Sequence, residues 1–191
     1  VYPHMNSIGG DGFWLISADG KAPIAVDGCG AAASGATRDY YGAQGHTVIP
    51  SRGPYAANTV AGTLSGWAEA HAISRELGGK LPMSRLVEDA VWSAENGFAV
   101  TATQQELTES KFEELKDSPG FVRTFLLDGK LPKEGQLMKF PALGATLRHI
   151  GEHGPLDFYS GALAKTIAAD LQRCGAPVTI DDLAAHKAQR R

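Results

Sequence analysis

Phe13-Trp14-Leu15-Ile16-Ser17-Ala18-Asp19-Gly20-Lys21-Ala22-Pro23-Ile24-Ala25-Val26-Asp27 holds two short apolar runs separated by a turn. Asp-Gly between two such runs favours a tight reversal, because glycine accepts positive φ without steric cost. The segment therefore predicts an antiparallel β-hairpin. Its apolarity is nearly continuous rather than alternating, which predicts strands covered on both faces, as in the middle of a layered α/β structure. Covering layers require helices, and the remainder of the chain is patterned to supply them.

A helix is expected over 58–77, capped by Asn58 or Thr59, with Val60, Leu64, Trp67, His71 and Ile73 on one face and Gly78-Gly79 stopping it. Another is expected over 84–96, ended by Gly97. Amphipathic helices follow over 103–116, closed by Ser118-Pro119-Gly120, and over 141–153. Asp157 then opens a helix that runs up to Cys174-Gly175, and Thr179 caps a last one through Lys187. Gln189-Arg190-Arg191 run on without a partner. No long Pro/Gly/Ser-rich linker interrupts the chain, so residues 1–191 read as a single domain, an N-terminal hairpin followed by a helix-rich region. The start without Met and the abrupt end both read as cuts.

Composition removes several classes of function. The formal net charge is −3, and Lys and Arg form no cluster that would track a phosphate backbone, so nucleic acid is not an expected partner. No apolar run approaches the roughly 20 residues needed to cross a bilayer. Cys29 and Cys174 are far apart and give neither a disulfide framework nor metal-ligand spacing. Of the six histidines only His149 and His153 stand at i, i+4, without the Glu of a zinc-protease helix, so they read as surface or core-edge residues. No metal or other cofactor is expected. The two unpaired cysteines favour the cytoplasm, with a secreted or periplasmic location the alternative.

The hairpin is entered through Ser7-Ile8-Gly9-Gly10-Asp11-Gly12. Glycines at this density permit positive φ and expose backbone N–H groups that could hold an anion or a developing oxyanion; a tight entry to the strand is the other reading. Read with its flanks, Pro3-His4-Met5-Asn6-Ser7-Ile8-Gly9-Gly10-Asp11-Gly12-Phe13 resembles the Pro-His-x-Ser/Asn-Gly-Ile-Gly-Gly-Gly-Gly-Phe stretch of the gamma-glutamyltranspeptidases. Thr59-Val60-Ala61-Gly62-Thr63-Leu64-Ser65-Gly66-Trp67 is similar to their Val-Pro-Gly-x-x-x-Gly-Trp/Phe segment. Leu81-Pro82-Met83-Ser84-Arg85-Leu86, Ala94-Glu95-Asn96-Gly97-Phe98-Ala99-Val100 and Gly154-Pro155-Leu156-Asp157-Phe158-Tyr159-Ser160-Gly161 follow in the family's order and spacing. Near the end, Ile180-Asp181-Asp182-Leu183-Ala184-Ala185-His186 is similar to its Thr-x-x-Asp-Leu-Ala-x-Tyr segment. The resemblance covers essentially the whole chain.

It implies the large-subunit part of a four-layer αββα N-terminal-nucleophile hydrolase, made from a precursor that cuts itself. The catalytic Thr would sit at the N-terminus of a separate small subunit, its hydroxyl attacking an amide carbonyl while its own α-amine acts as base. No catalytic residue is then expected in this chain, since Thr59, Thr63 and Thr101 lack a free α-amine. One departure bears on substrate. Where the family carries Asp-Phe-Arg-Glu, whose Arg clamps the α-carboxylate of the gamma-glutamyl group, this chain has Asp27-Gly28-Cys29-Gly30. A thiol cannot reproduce a planar fork of donors. Branches similar to the transpeptidases but without that Arg include the oxamate amidohydrolase-like and cephalosporin acylase-like enzymes. The expected substrate is a small carboxylate-bearing amide, in a site formed by Cys29, Gly28, Gly30 and backbone donors at Gly9 and Gly10. Arg52, held between Pro50 and Pro54, is the expected replacement clamp. The competing readings are a buried structural Cys29, an exposed or ion-paired Arg52, and a ligand-binding module without turnover.

Overall fold

The computed structural model describes residues 5–118 and 120–191, so Pro3, His4 and Pro119 of the segments above lie outside the described residues. The hairpin forms as expected: β1 (Gly12–Ile16) pairs antiparallel with β2 (Ile24–Gly28), in a register from Gly12 opposite Gly28 to Ile16 opposite Ile24. In the turn, Lys21 N donates to Ala18 O at 3.1 Å, and Gly20 takes a φ of 70°.

Within the described part of these 191 residues the strands are not covered on both faces. Phe13 and Leu15 are 67% and 78% exposed, whereas Val26 on β2 is buried. The C-terminal residues expected to run free form a third strand, β3 (Gln189–Arg190), antiparallel to β2 and locked by reciprocal bonds between Ala25 and Arg191 of 3.0 and 2.9 Å. The sheet order is β1-β2-β3, so β2 is central and β1 presents an unpaired outer edge among the described residues.

Helix α1 (Thr63–Glu76) lies against the hairpin. It begins five residues later than the apolar pattern suggests, because the backbone before it is already engaged. Ala33 N donates to Asn58 O and Val60 N to Ala31 O, both at 2.9 Å, holding 58–60 extended beside the segment that follows β2. Thr63 starts the helix by donating its N–H and its hydroxyl to Gly10 O, at 2.9 and 2.8 Å. Gly62 and Gly66 allow this approach: a Cβ on Gly62 would stand 1.9 Å from Gly28 O, and one on Gly66 would touch Gly12 O and the Trp14 ring at 3.4 Å.

Helices α2 (Met83–Asn96) and α3 (Pro141–His153) pack together, with Gly151 letting α3 approach Ser84 and Val87 of α2. The expected helix from Asp157 is two. After α4 (Asp157–Ser160) the chain breaks at Gly161, and α5 (Ala162–Arg173) starts afresh. The break follows from Asp157, whose carboxylate accepts from Ala162 N and Leu163 N at 3.3 and 2.9 Å and so caps the second helix from inside the first. His149 Nε2 lies 2.9 Å from the same carboxylate, and the His149 and His153 rings stack at 4.1 Å. Finally α6 (Ile180–Ala185) opens with a reciprocal capping box between Thr179 and Asp182. The main core joins Val60 and Leu64 to Val87, Leu147, Ile150, Phe158, Tyr159 and Leu183.

Candidate functional site

The end of β2, the start of α1 and the end of α6 meet around Cys29. A cleft of about 370 Å³ is lined there by Cys29, Ala31, Val60, His186, Lys187 and Gln189, among others. Asp11, in the glycine-rich entry loop, anchors its rim by accepting from Gly30 N at 2.8 Å. Its second oxygen lies 3.7 Å from Cys29 Sγ. Cys29 is exposed, not buried. The Asp11 charge, with lesser contributions from burial and Asp27, pushes the Cys29 thiol above its ordinary value. A raised value disfavours the thiolate, which is the reactive form of cysteine.

Gly28 and Gly30, expected in the substrate site, are each required by close backbone packing. A Cβ on Gly30 would fall 1.6 Å from Val60 O, and one on Gly28 would stand 2.6 Å from Gly12 O and 3.0 Å from Gly62 O. These glycines let β2 and its extension press against the protein's own backbone. Gly10 has the same kind of partner, its carbonyl receiving both bonds from Thr63, while Gly9 N is held by the Ser7 hydroxyl at 2.9 Å. The Gly9 N–H is therefore already engaged.

Arg52 is placed elsewhere. Its Nε pairs with Glu114 at 3.0 Å, and the side chain is not among those lining the cleft at Cys29. Glu114 lies on the helix Ala102–Leu115. The structure thus brings Cys29, Gly28 and Gly30 together and gives Arg52 a different partner. Both side chains of that pair are substantially exposed, so the pair contributes little to stability.

Three residues not singled out by sequence form a hydrogen-bonded group of which His186 lines the cleft. Tyr159, buried under α1, donates its hydroxyl to Ala61 O at 2.7 Å and accepts from Ser65 N at 2.9 Å. Burial pushes its phenol up, so it stays a donor. Buried Ser65 lies 2.9 Å from both Gly62 O and His186 Nε2. Burial pulls the His186 imidazole down and Asp11 acts in the opposite direction, so this position on the cleft wall favours the neutral ring. His186 occupies the place of the Tyr in the Asp-Leu-Ala-x-Tyr segment, and that departure was the available signal. Among the described residues, no group of three or more His, Cys, Asp or Glu is arranged to hold a metal.

The family model described as Gamma-glutamyltranspeptidase matches residues 1–191. The chain belongs to the gamma-glutamyltranspeptidase family. It is 51% identical over 191 residues to the oxamate amidohydrolase proenzyme of Klebsiella pneumoniae subsp. pneumoniae, covering 100% of this chain and 36% of that protein. With the glutathione hydrolase proenzyme of Escherichia coli it is 30% identical over 194 residues, covering 100% of this chain and 33% of that protein. Among solved structures, the gamma-glutamyltranspeptidase from Pseudomonas nitroreducens complexed with L-DON superposes with a TM-score of 0.84 at 34% identity, over 100% of this chain and 55% of that one. The cephalosporin acylase from Bacillus halodurans gives 0.86 at 30%, over 99% and 35%. This chain spans about a third of the length of these two curated relatives. The expected α/β fold of the family's N-terminal-nucleophile hydrolases is that of these neighbours.

Proposed function

We propose that this chain is the large-subunit part of an amide hydrolase that acts on a small carboxylate-bearing amide of the oxamate kind. The single observation carrying this is the 51% identity to an oxamate amidohydrolase proenzyme over the whole chain. The chemistry around Cys29 supports it. In place of a guanidinium fork there is an exposed thiol held 3.7 Å from the Asp11 carboxylate. A gamma-glutamyl α-carboxylate docked there would lose charge-assisted hydrogen bonds of about 1.5–3 kcal/mol each and meet a negative charge in their place. A smaller substrate, lacking the gamma-glutamyl arm, need not place its carboxylate at that position.

In this reading the nucleophile is a Thr at the N-terminus of a small subunit released from the same precursor. Its hydroxyl oxygen bonds to the amide carbonyl carbon while its α-amine takes the proton. Collapse breaks the C–N bond, ammonia leaves with that proton, and water hydrolyses the resulting ester. The present chain supplies one wall of the cavity and no reacting atom.

The test is a comparison on the full-length, self-processed enzyme. Oxamate is expected to be turned over with a kcat/KM at least about tenfold above that of a gamma-glutamyl anilide, as loss of about 1.4 kcal/mol of differential binding requires. Comparable values for the two substrates would reject the reading, as would failure of the precursor to yield a second chain beginning with Thr.

A further inference from the structure

The contacts of Ser65 fix the protonation of His186. Ser65 Oγ lies 2.9 Å from Gly62 O, and two oxygens at that distance need a proton between them. A carbonyl has none to give, so the serine proton is committed to Gly62 O. Ser65 Oγ is also 2.9 Å from His186 Nε2, and with its only proton used it can receive but not donate there. His186 Nε2 must therefore carry the hydrogen. On the neutral ring, the form that burial favours, Nδ1 is then the unprotonated nitrogen.

The same argument disposes of Ser65 as a nucleophile activated by His186. A base that is itself the donor to the serine oxygen cannot take the serine's proton. Ser65 is buried at the helix start, where its N–H is bound by the Tyr159 hydroxyl. It is a buttress that orients the ring.

Among the described residues no group bonds His186 Nδ1, while the imidazole lines the cleft that also contains Cys29 and Lys187. We propose that His186 is a specificity residue whose free Nδ1 accepts a hydrogen bond from an N–H of the substrate's primary amide. A cleft acceptor that cannot donate selects for N–H over a carboxylate or ester oxygen, which would face it lone pair to lone pair. Lys187, next in sequence and on the same wall, supplies positive charge for the anionic end of such a molecule. A Tyr in this position offers a hydroxyl that can donate as well as accept, so His186 narrows the choice. This inference rests on the proposed amide-hydrolase reading for its substrate class but not for the tautomer.

Two substitutions in the full-length processed enzyme separate the nitrogens. His186→Gln places an amide where Nε2 stands and keeps the donor to Ser65 while removing the acceptor at Nδ1. His186→Asn places its oxygen near Nδ1 and abandons Ser65. The expected result is a KM for oxamate raised about tenfold in the Gln variant with its melting temperature nearly unchanged, and a KM close to wild type in the Asn variant despite a lower melting temperature. The reverse order would overturn the proposal and leave His186 a purely structural partner of Ser65.

A second readout does not depend on turnover. In histidine-15N spectra, with the His186 signals identified by their loss in the Gln variant, Nδ1 is expected to be unprotonated and to shift on addition of a primary amide, oxamate or glutamine. A proton on Nδ1, or no response to either amide, rejects the proposal. If Nδ1 responds to an amide but oxamate is not turned over, the substrate reading fails and the His186 assignment stands.

Discussion

At the residue scale, the site is built by absent side chains as much as by present ones. Gly30 sits where any Cβ would fall 1.6 Å from Val60 O, an atom of backbone that cannot swing aside. Moving it would separate 58–60 from 31–33 and disturb the bonds of Val60 N to Ala31 O and Ala33 N to Asn58 O. The Gly30 N–H is also the group that anchors Asp11 at the rim. Gly30→Ala is therefore expected to cost at least the upper part of the roughly 1–3 kcal/mol typical of overpacking, and to lower the melting temperature and yield of the full-length enzyme together. A melting temperature within a degree or two of wild type would show that this contact yields easily. Cys29, one residue away, is open to solvent and is expected to tolerate Ser with no comparable loss, because its side chain fills no core space.

At the scale of elements, α6 owes its position to Asp182, whose carboxylate accepts from Ser34 N, Thr179 N and the Thr179 hydroxyl at 2.8–2.9 Å. Burial would raise this carboxyl, but the backbone donors of Ser34 and Thr179 outweigh it, and the net displacement is downward. A carboxyl held below its unfolded value contributes stability that is present above that value and lost as pH falls through the folded one. Asp182→Asn is accordingly expected to melt below wild type at neutral pH, with the gap closing as pH is lowered below about 4, the ordinary Asp range. A gap that stays constant down to acid pH would show that Asp182 acts through packing alone. The capping box was legible in Thr179-Ile180-Asp181-Asp182, as were the hairpin and the helices of the middle of the chain, because each rests on local spacing. The break at Gly161 was hidden, since Asp157 reads equally well as the start of one helix and as the cap of the next. The late start of α1 and the third strand were hidden for a different reason. Both are set by partners far along the chain, 31–33 for 58–60 and β2 for Gln189–Arg190, and apolar periodicity carries no information about those pairings. In the candidate site, Cys29 and its glycines stood out by departing from a known pattern. The group of Ser65, Tyr159 and His186 needed the long-range contacts of Ser65 with Tyr159 and His186 to become visible.

On the scale of the whole molecule, the sheet is finished on one side and open on the other. β3 is tied down through Arg190, whose guanidinium meets Glu69 and Glu76 of α1 at 2.6 and 2.8 Å. On the opposite edge β1 carries Phe13 and Leu15 outward, more than two-thirds exposed, on a strand with no outer partner among the described residues. Exposed apolar residues on an unpaired strand form a template for another chain, and natural edge strands usually carry charge, Pro or a bulge to prevent that. β1 has none of these between Gly12 and Ile16. The 191 residues produced alone are therefore expected to associate, and Phe13→Lys with Leu15→Lys is expected to return them to a monomer by blunting the edge. If that edge and face are covered by the rest of the protein, the same pair of substitutions in the full-length protein acts in the opposite sense, burying two charges without partners and leaving the precursor poorly assembled and unprocessed. Size-exclusion profiles of the short chain and subunit ratios of the full-length protein, each with and without the two lysines, give the four measurements needed. A monomeric, cooperatively unfolding wild-type short chain would show that the edge is protected without a partner. Normal processing of the double-lysine precursor would show that the outward face of β1 stays in solvent in the complete enzyme.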